Sequence, residues 1–185
     1  TLDPGPLADL LGGAPLIQAA GRSHPVQIRY ADRDPGPDWL PAMASTIRQA
    51  LAEQPGDVLA FLPGAREIGQ LQARLTGELT REGRADPAAE PAVEILPLHG
   101  TLSLAEQERV LRRQPAPENA PRRVILATDL AETSLTIPGI GAVVDSGLTR
   151  KPRFAPASGL TRLVTIPIPL ASADQRAGRA GRLGP

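Results

Sequence analysis

The chain has no cysteine among its 185 residues. That excludes disulfides, thiolate metal sites and cysteine nucleophiles, and it suits a reducing compartment. Lysine is almost absent too. Of twenty basic residues only Lys151 is a lysine, a bias that, with the abundant Ala and Pro, reads as genome composition rather than as a site. A phosphate-cradling Walker loop, Gly-x-x-x-x-Gly-Lys-Ser/Thr, needs its lysine in a glycine-rich turn. Lys151 lies instead in Thr149-Arg150-Lys151-Pro152-Arg153, and no acidic pair followed by Ala-His is present to hold magnesium. The chain can therefore complete a nucleotide site but cannot build one. No apolar run approaches membrane-spanning length and there is no basic-then-apolar leader, so a soluble, cytoplasmic protein without membrane contact is expected. Net charge is missing as well. Twenty acidic residues balance the twenty basic ones, and any polyanion site must be local.

The length allows one well-buried α/β domain and is short for two. Opening at Thr1 without methionine and stopping at Pro185, the chain reads as a piece of something longer. Residues 1–21 are weakly patterned, with a short helix predicted over Leu7 to Leu11. Val26-Gln-Ile28-Arg-Tyr30 alternates as a half-buried strand does, and residues 31–38 read as an exposed connector. Asp38 is placed to cap a helix whose Leu40, Met43, Ile47 and Leu51 keep helical spacing. Val58 to Leu62 is a continuous apolar run closed by Pro63-Gly64, the pattern of a central parallel strand. Ile68, Leu71, Leu75 and Leu79 outline the next helix, and Arg81 to Pro91 a mobile loop. Further strands are predicted over 93–98, 122–127, 140–145 and 162–166. Ser103-Leu-Ala-Glu106 has capping-box spacing and opens a helix to about Arg113. This alternation predicts a mainly parallel sheet with helices on both faces and ligands at the carboxyl ends of its strands.

The polar clusters fall at those ends. Phe61-Leu-Pro63-Gly64-Ala-Arg66-Glu67-Ile68 turns a strand into a helix whose free N–H groups suit an anion, or it is an ordinary tight turn. Pro97-Leu-His99-Gly100-Thr101-Leu102 is a second strand end, and His99 reads as a loop residue without proton chemistry. Ala127-Thr128-Asp129-Leu-Ala-Glu132-Thr133-Ser134-Leu-Thr136-Ile-Pro138-Gly139 offers hydroxyls and N–H groups suited to strand phosphates or a nucleotide. The fourth is Ser172-Ala-Asp174-Gln175-Arg176-Ala-Gly178-Arg179-Ala-Gly181-Arg182. As a helix it sets Arg176, Arg179 and Arg182 in one stripe beside a glycine ridge. Each internal glycine costs about 0.8 to 1 kcal/mol against alanine, so the ridge has no stability rationale. Guanidinium forks match phosphate oxygens, and the stripe reads as a phosphate clamp; spacing alone also permits a solvated surface helix.

In this order, Phe-Leu-Pro-Gly-x-x-Glu-Ile, Leu-His-Gly-Thr-Leu, Ala-Thr-Asp-Leu-Ala-Glu-Thr-Ser-Leu-Thr-Ile and Gln-Arg-Ala-Gly-Arg-Ala-Gly-Arg, the chain resembles the second RecA-like domain of DEAH-box RNA helicases. The bacterial HrpB type is the nearest match, and Thr1-Leu2-Asp3 resembles the tail of the Ser-Ala-Thr motif that closes the preceding domain. The resemblance implies an α/β three-layer sandwich of the RecA-like, P-loop NTPase type. Residues 1–21 would be a residual inter-domain linker and 22–185 the domain, with a β-hairpin at about 149–166 before the last helix.

It implies that Gln175 meets the γ-phosphate region and the attacking water, and that Arg179 and Arg182 act as arginine fingers. Arg176 would join the same phosphate network. Ser134 would sense the nucleotide, with Thr136 and Leu111 at the same site. RNA, single-stranded or at a duplex end, would meet Thr128, Gly64, Gly100 and Thr101, and the hairpin's Arg150, Lys151 and Arg153. ATP and Mg2+ would be held mainly by a separate first RecA-like domain of the same protein, with C-terminal accessory domains as further partners; no cofactor or metal ligand is expected in this piece. Two departures stand out. Many relatives of that family carry Asp, a ribose ligand, where this chain has Pro138, and they commonly stack an aromatic ring on adenine near Leu111. Both weaken base and sugar selectivity. A non-catalytic RNA-binding module using the stripe for phosphate contacts is the alternative. An unrelated nucleotide-sugar or phosphosugar enzyme would need a complete phosphate site that the sequence lacks.

Overall fold

The apolar run ending at Phe61 is buried throughout as strand β1 (Asp57–Phe61). In the computed structural model, residues 4–13, 15, 24–32, 34–85, 93–112, 120–132, 135–156 and 159–180 are described. Helix α1 (Pro4–Leu10) precedes α2 (Leu40–Glu53), and β1 leads into α3 (Ala65–Ala85). Then come β2 (Glu94–Leu98), α4 (Leu104–Leu111), β3 (Arg123–Ala127), the single-turn 3-10 helix η1 (Asp129–Ala131) and β4 (Ile140–Asp145). Strands β5 (Leu148–Ala155) and β6 (Leu160–Pro167) precede α5 (Leu170–Ala177).

The main sheet runs β2-β3-β1-β4, every pairing parallel, while β5 and β6 form a separate antiparallel hairpin. Because strand residues alternate faces, β1 feeds two cores at once. Val58, Ala60 and Leu62 join Met43, Ile47 and Leu51 of α2 and Ile68, Leu71 and Leu75 of α3. Leu59 and Phe61 join Val110 of α4, with Ala131, Ile137 and Ile140. Helices therefore cover both faces of the sheet, as the continuous apolar strands require. Each fully buried Leu, Ile or Phe contributes about 1.5 to 3 kcal/mol.

Several expectations are corrected. Among the described residues no strand forms over 26–30. Ile28 and Tyr30 stand exposed, and Arg29 reaches Glu53 of α2 at 3.2 Å instead of joining a ladder. Helix α2 takes Trp39, not Asp38, as its N-cap, with no side-chain cap bond; the proline in its first turn has no N–H to satisfy. Helix α3 continues through Ala85 into the stretch read as a loop, and residues 86–92 lie outside the described ones. The capping box at α4 forms on both sides: Ser103 Oγ accepts from the Glu106 N–H and the Glu106 carboxylate accepts from the Ser103 N–H. The Ser103 hydroxyl also donates to the Glu106 carboxylate at 2.6 Å, and this bond, with the one from the Ser103 N–H, holds the Glu106 pKa below its ordinary value.

The amino edge of the sheet is fastened by two neighbouring arginines. Arg122 donates to the Gly56 and Gln54 carbonyls at 2.8 and 2.7 Å, and to that of Leu51, closing the carbonyl end of α2. Arg123 pairs with Asp57, Nε to Oδ2 at 2.8 Å, and its backbone N–H donates to Oδ1 at 2.9 Å. At the start of β4 the chains approach so closely that a Cβ on Gly141 would lie 1.9 Å from the Pro55 carbonyl oxygen. Only glycine fits there.

Candidate functional site

Parallel strands end side by side, and the loops after them are tied in a row. The Thr128 N–H donates to the Leu98 carbonyl (3.2 Å), Leu62 to Ala127 (2.8 Å) and Ser146 to Phe61 (3.1 Å). This row brings Gly64, Gly100, Thr101 and Thr128 to one edge. Gly64 is buried at the turn into α3, and a Cβ there would lie 2.5 Å from Arg150 Nη1. Arg150 itself donates to Glu67 at 2.8 Å, so the hairpin root is latched to the first turn of α3. Thr101 Oγ1 lies 2.8 Å from His99 Nδ1 and is exposed, as is Gly100. Thr128 is half-buried, and its hydroxyl accepts from Leu130, turning the chain into η1.

The hairpin carries Lys151, Arg153 and Arg162 on one face, with Arg153 directly opposite Arg162. Like charges so placed repel unless an anion lies between or above them. Its other face exposes Phe154 and Leu163. At its root a cavity of about 250 Å³ is lined by Asp129, Glu132, Lys151, Ser172 and Arg176 among others.

The arginine stripe is where structure and expectation part. Helix α5 ends at Ala177, and Gly178 to Ala180 continue as turns, with the Arg179 N–H on the Arg176 carbonyl at 3.0 Å. The guanidiniums of Arg176 and Arg179 turn inward rather than forming an outward stripe. Arg176 is 1% exposed. It donates to the Glu132 carboxylate (Nε, 3.1 Å), to Asp145 (Nη1, 2.9 Å) and to the Leu148 carbonyl (3.3 Å), with its guanidinium carbon 4.8 Å from the Phe61 ring centre. Two carboxylates and a ring face hold this guanidinium within the protein. Arg179 donates to the Glu132 carbonyl (Nε, 2.9 Å) and to the Leu135 carbonyl (2.5 Å). Of the expected glycine ridge, Gly178 meets only its own helix, where a Cβ would lie 3.3 Å from the Asp174 carbonyl oxygen, and Gly181 lies outside the described residues. Gln175 is half-buried, and Ser134 and Arg182 lie outside the described residues.

On the α4 and α5 side of the sheet, Thr136 is exposed and Leu111 is half-buried against the second core. Arg123 ties Pro138 to the residue before Leu111. Its Nη1 donates to the Val110 carbonyl at 3.1 Å and its Nη2 to the Pro138 carbonyl at 3.0 Å. The buried Asp57–Arg123 pair and the hub at Glu132 escaped the sequence reading. Neither shows as a motif, since partners lie 66, 44 and 47 positions apart.

A model of the helicase conserved C-terminal domain matches residues 42–184. The chain belongs to that family. This helicase C-terminal domain is 42% identical over its full length to the ATP-dependent RNA helicase HrpB of Escherichia coli (strain K12) and covers 21% of that protein. It is 38% identical, over 99% of its length, to the ATP-dependent RNA helicase HrpA of the same organism, covering 13% of it. A crystal structure of Escherichia coli DEAH/RHA helicase HrpB superposes with a TM-score of 0.82 at 42% identity, over the whole of this chain and 22% of that one. The helicase domain thus spans about a fifth or less of these relatives, and it has the mainly parallel sheet and β-hairpin that its resemblance implied. Among the described residues no helix is long and apolar enough to cross a membrane.

Proposed function

We propose that this domain is the second wall of the NTP cleft in an RNA helicase and supplies Arg179, Arg182 and Gln175 to the triphosphate. The observation that carries this reading is the convergence of Arg176 and Arg179 on Glu132. It fastens the Gln-Arg-Ala-Gly-Arg segment to the Thr-Asp-Leu-Ala-Glu-Thr-Ser loop after β3, the arrangement a shared phosphate site needs. Arg176 is reassigned from phosphate contact to holding that arrangement together. Arg179 leaves the carbonyls of Glu132 and Leu135 when a triphosphate enters and stabilises charge developing as the β–γ bond breaks. RNA lies across the carboxyl edge, on Thr128, Gly64, Gly100 and Thr101, with Arg150, Lys151 and Arg153 beside it. ATP with Mg2+ is held mainly by a Walker-bearing partner domain, because this chain has no Walker loop.

The test is reconstitution. The purified chain should hydrolyse no ATP; joined to a Walker-bearing domain of a DEAH-type relative it should, with RNA accelerating the reaction. Turnover by the chain alone would falsify this division of labour. A further expectation concerns selectivity. Leu111 gives apolar contact without ring stacking and Pro138 offers no carboxylate, so kcat/KM for GTP, CTP and UTP should lie within about tenfold of that for ATP, the discrimination that a few weak contacts supply. Strict ATP preference in a steady-state comparison would reject it.

A further inference from the structure

Two arginines of one segment take hold of different atoms of one residue. Glu132 gives its carboxylate to Arg176 Nε at 3.1 Å and its backbone carbonyl to Arg179 Nε at 2.9 Å. The first grip is firm. Arg176 is buried, and its fork is also fixed by Asp145, by the Leu148 carbonyl and by the Phe61 ring. A side chain clamped in this way restrains the backbone of its own residue, and with it the direction of its carbonyl. We infer that Glu132 is a positioning residue for Arg179: its carboxylate, locked on Arg176, aims the carbonyl that sets where the Arg179 guanidinium rests before it meets phosphate. The inference builds on the finger role proposed for Arg179 and adds a residue with no contact to substrate.

Without the carboxylate the Glu132 backbone can turn, its carbonyl swings away, and Arg179 starts from a spread of positions. Misplacement of a reacting group by about 1 Å can lower a rate by about 100-fold. In the reconstituted protein, Glu132→Ala should therefore lower kcat by about 10- to 100-fold while KM for ATP stays within about twofold, the pattern of a contact realised only in the transition state. Glu132→Gln keeps an oxygen for Arg176 Nε and drops the charge, so its loss should be smaller, under about tenfold. If Glu132→Ala fails to fold, Glu132→Gln carries the test.

A double-mutant cycle separates positioning from general damage. In an Arg179→Ala background, either Glu132 change should cost less than about threefold further, because the residue it positions is already gone. A second readout needs no turnover. The Arg179 Nε–H resonance of the chain, followed by nitrogen-15 NMR, should exchange faster with water in Glu132→Gln than in the parent. Full multiplication of the two rate losses, or unchanged exchange at Arg179, would overturn the inference. The outcomes are distinguishable: if Arg179→Ala leaves kcat intact, the finger role falls and this inference with it. If Arg179→Ala is slow and the Glu132 variants are not, only the inference falls.

Discussion

Replacing Arg179 by alanine, in this domain joined to a Walker-bearing one, should lower kcat for ATP hydrolysis by about three orders of magnitude or more while RNA affinity stays within about threefold. The magnitude follows from what the fork does. As the β–γ bond lengthens, charge gathers on the leaving and equatorial oxygens, and a guanidinium placed there in a water-poor cleft stabilises that charge without reorganising at the moment of reaction. Three orders of magnitude correspond to about 4 kcal/mol of transition-state stabilisation. Arg179→Lys should recover little, since an ammonium lacks the planar paired donors. RNA affinity is spared because the residues proposed for RNA are Thr128, Gly64 and the hairpin cations. Arg179 instead bonds to the loop carbonyls of Glu132 and Leu135. Saturating-substrate rates and fluorescence anisotropy with single-stranded RNA measure the two separately. The opposite result, unchanged kcat with RNA affinity reduced tenfold or more, would favour a non-catalytic binding module. Salt would then discriminate further, because each lost phosphate contact flattens the dependence of binding on ionic strength by about one contact's share.

Local pattern made much of this molecule legible. The apolar run at Val58 to Leu62 announces β1 because a strand covered on both faces has no polar side to show, and β4 falls where its pattern places it. The capping box at Ser103 and Glu106 is legible for the same reason: both partners lie within one turn of chain. What failed was inference about partners. Val26 to Tyr30 alternates like a strand, yet alternation describes two faces and says nothing about whether a neighbouring edge exists to pair with. The arginine stripe failed in a related way. Spacing puts Arg176 and Arg179 on one side of a helix, but whether that side faces phosphate or protein depends on Glu132, Asp145 and Phe61, brought there only by the fold. In a chain with a single lysine, arginine serves both inside and outside. Arg122, Arg123 and Arg176 act as internal ties, each satisfying several carbonyls or carboxylates with one fork, and a composition that favours arginine conceals which forks are structural.

Asp57 offers the clearest expected loss of stability. Its carboxylate is 1% exposed as a residue and accepts from both the side chain and the backbone of Arg123, whose guanidinium also spans the Val110 and Pro138 carbonyls. Asp57→Ala strands a buried guanidinium and leaves a backbone N–H unpaired, a change that costs about 3 to 5 kcal/mol. Asp57→Asn should cost less, because the amide oxygen still accepts one of the bonds while the charge goes uncompensated. Removing both charges, as in Asp57→Ala with Arg123→Met, should recover part of the loss, since desolvating an ion pair already spends much of what its attraction returns. Urea unfolding of the chain measures all three, and an unchanged m-value would show that the native surface is preserved. A deficit under about 1 kcal/mol in Asp57→Ala would mean that Arg123 re-satisfies itself, through water or Val110 and Pro138 alone. The same variant bears on the site. Arg123 anchors the carbonyls beside Leu111 and at Pro138, so loosening it frees the wall against which a nucleotide base would rest. In the reconstituted protein, Asp57→Ala should therefore raise KM for ATP more than it lowers kcat, the reverse of the split expected at Glu132.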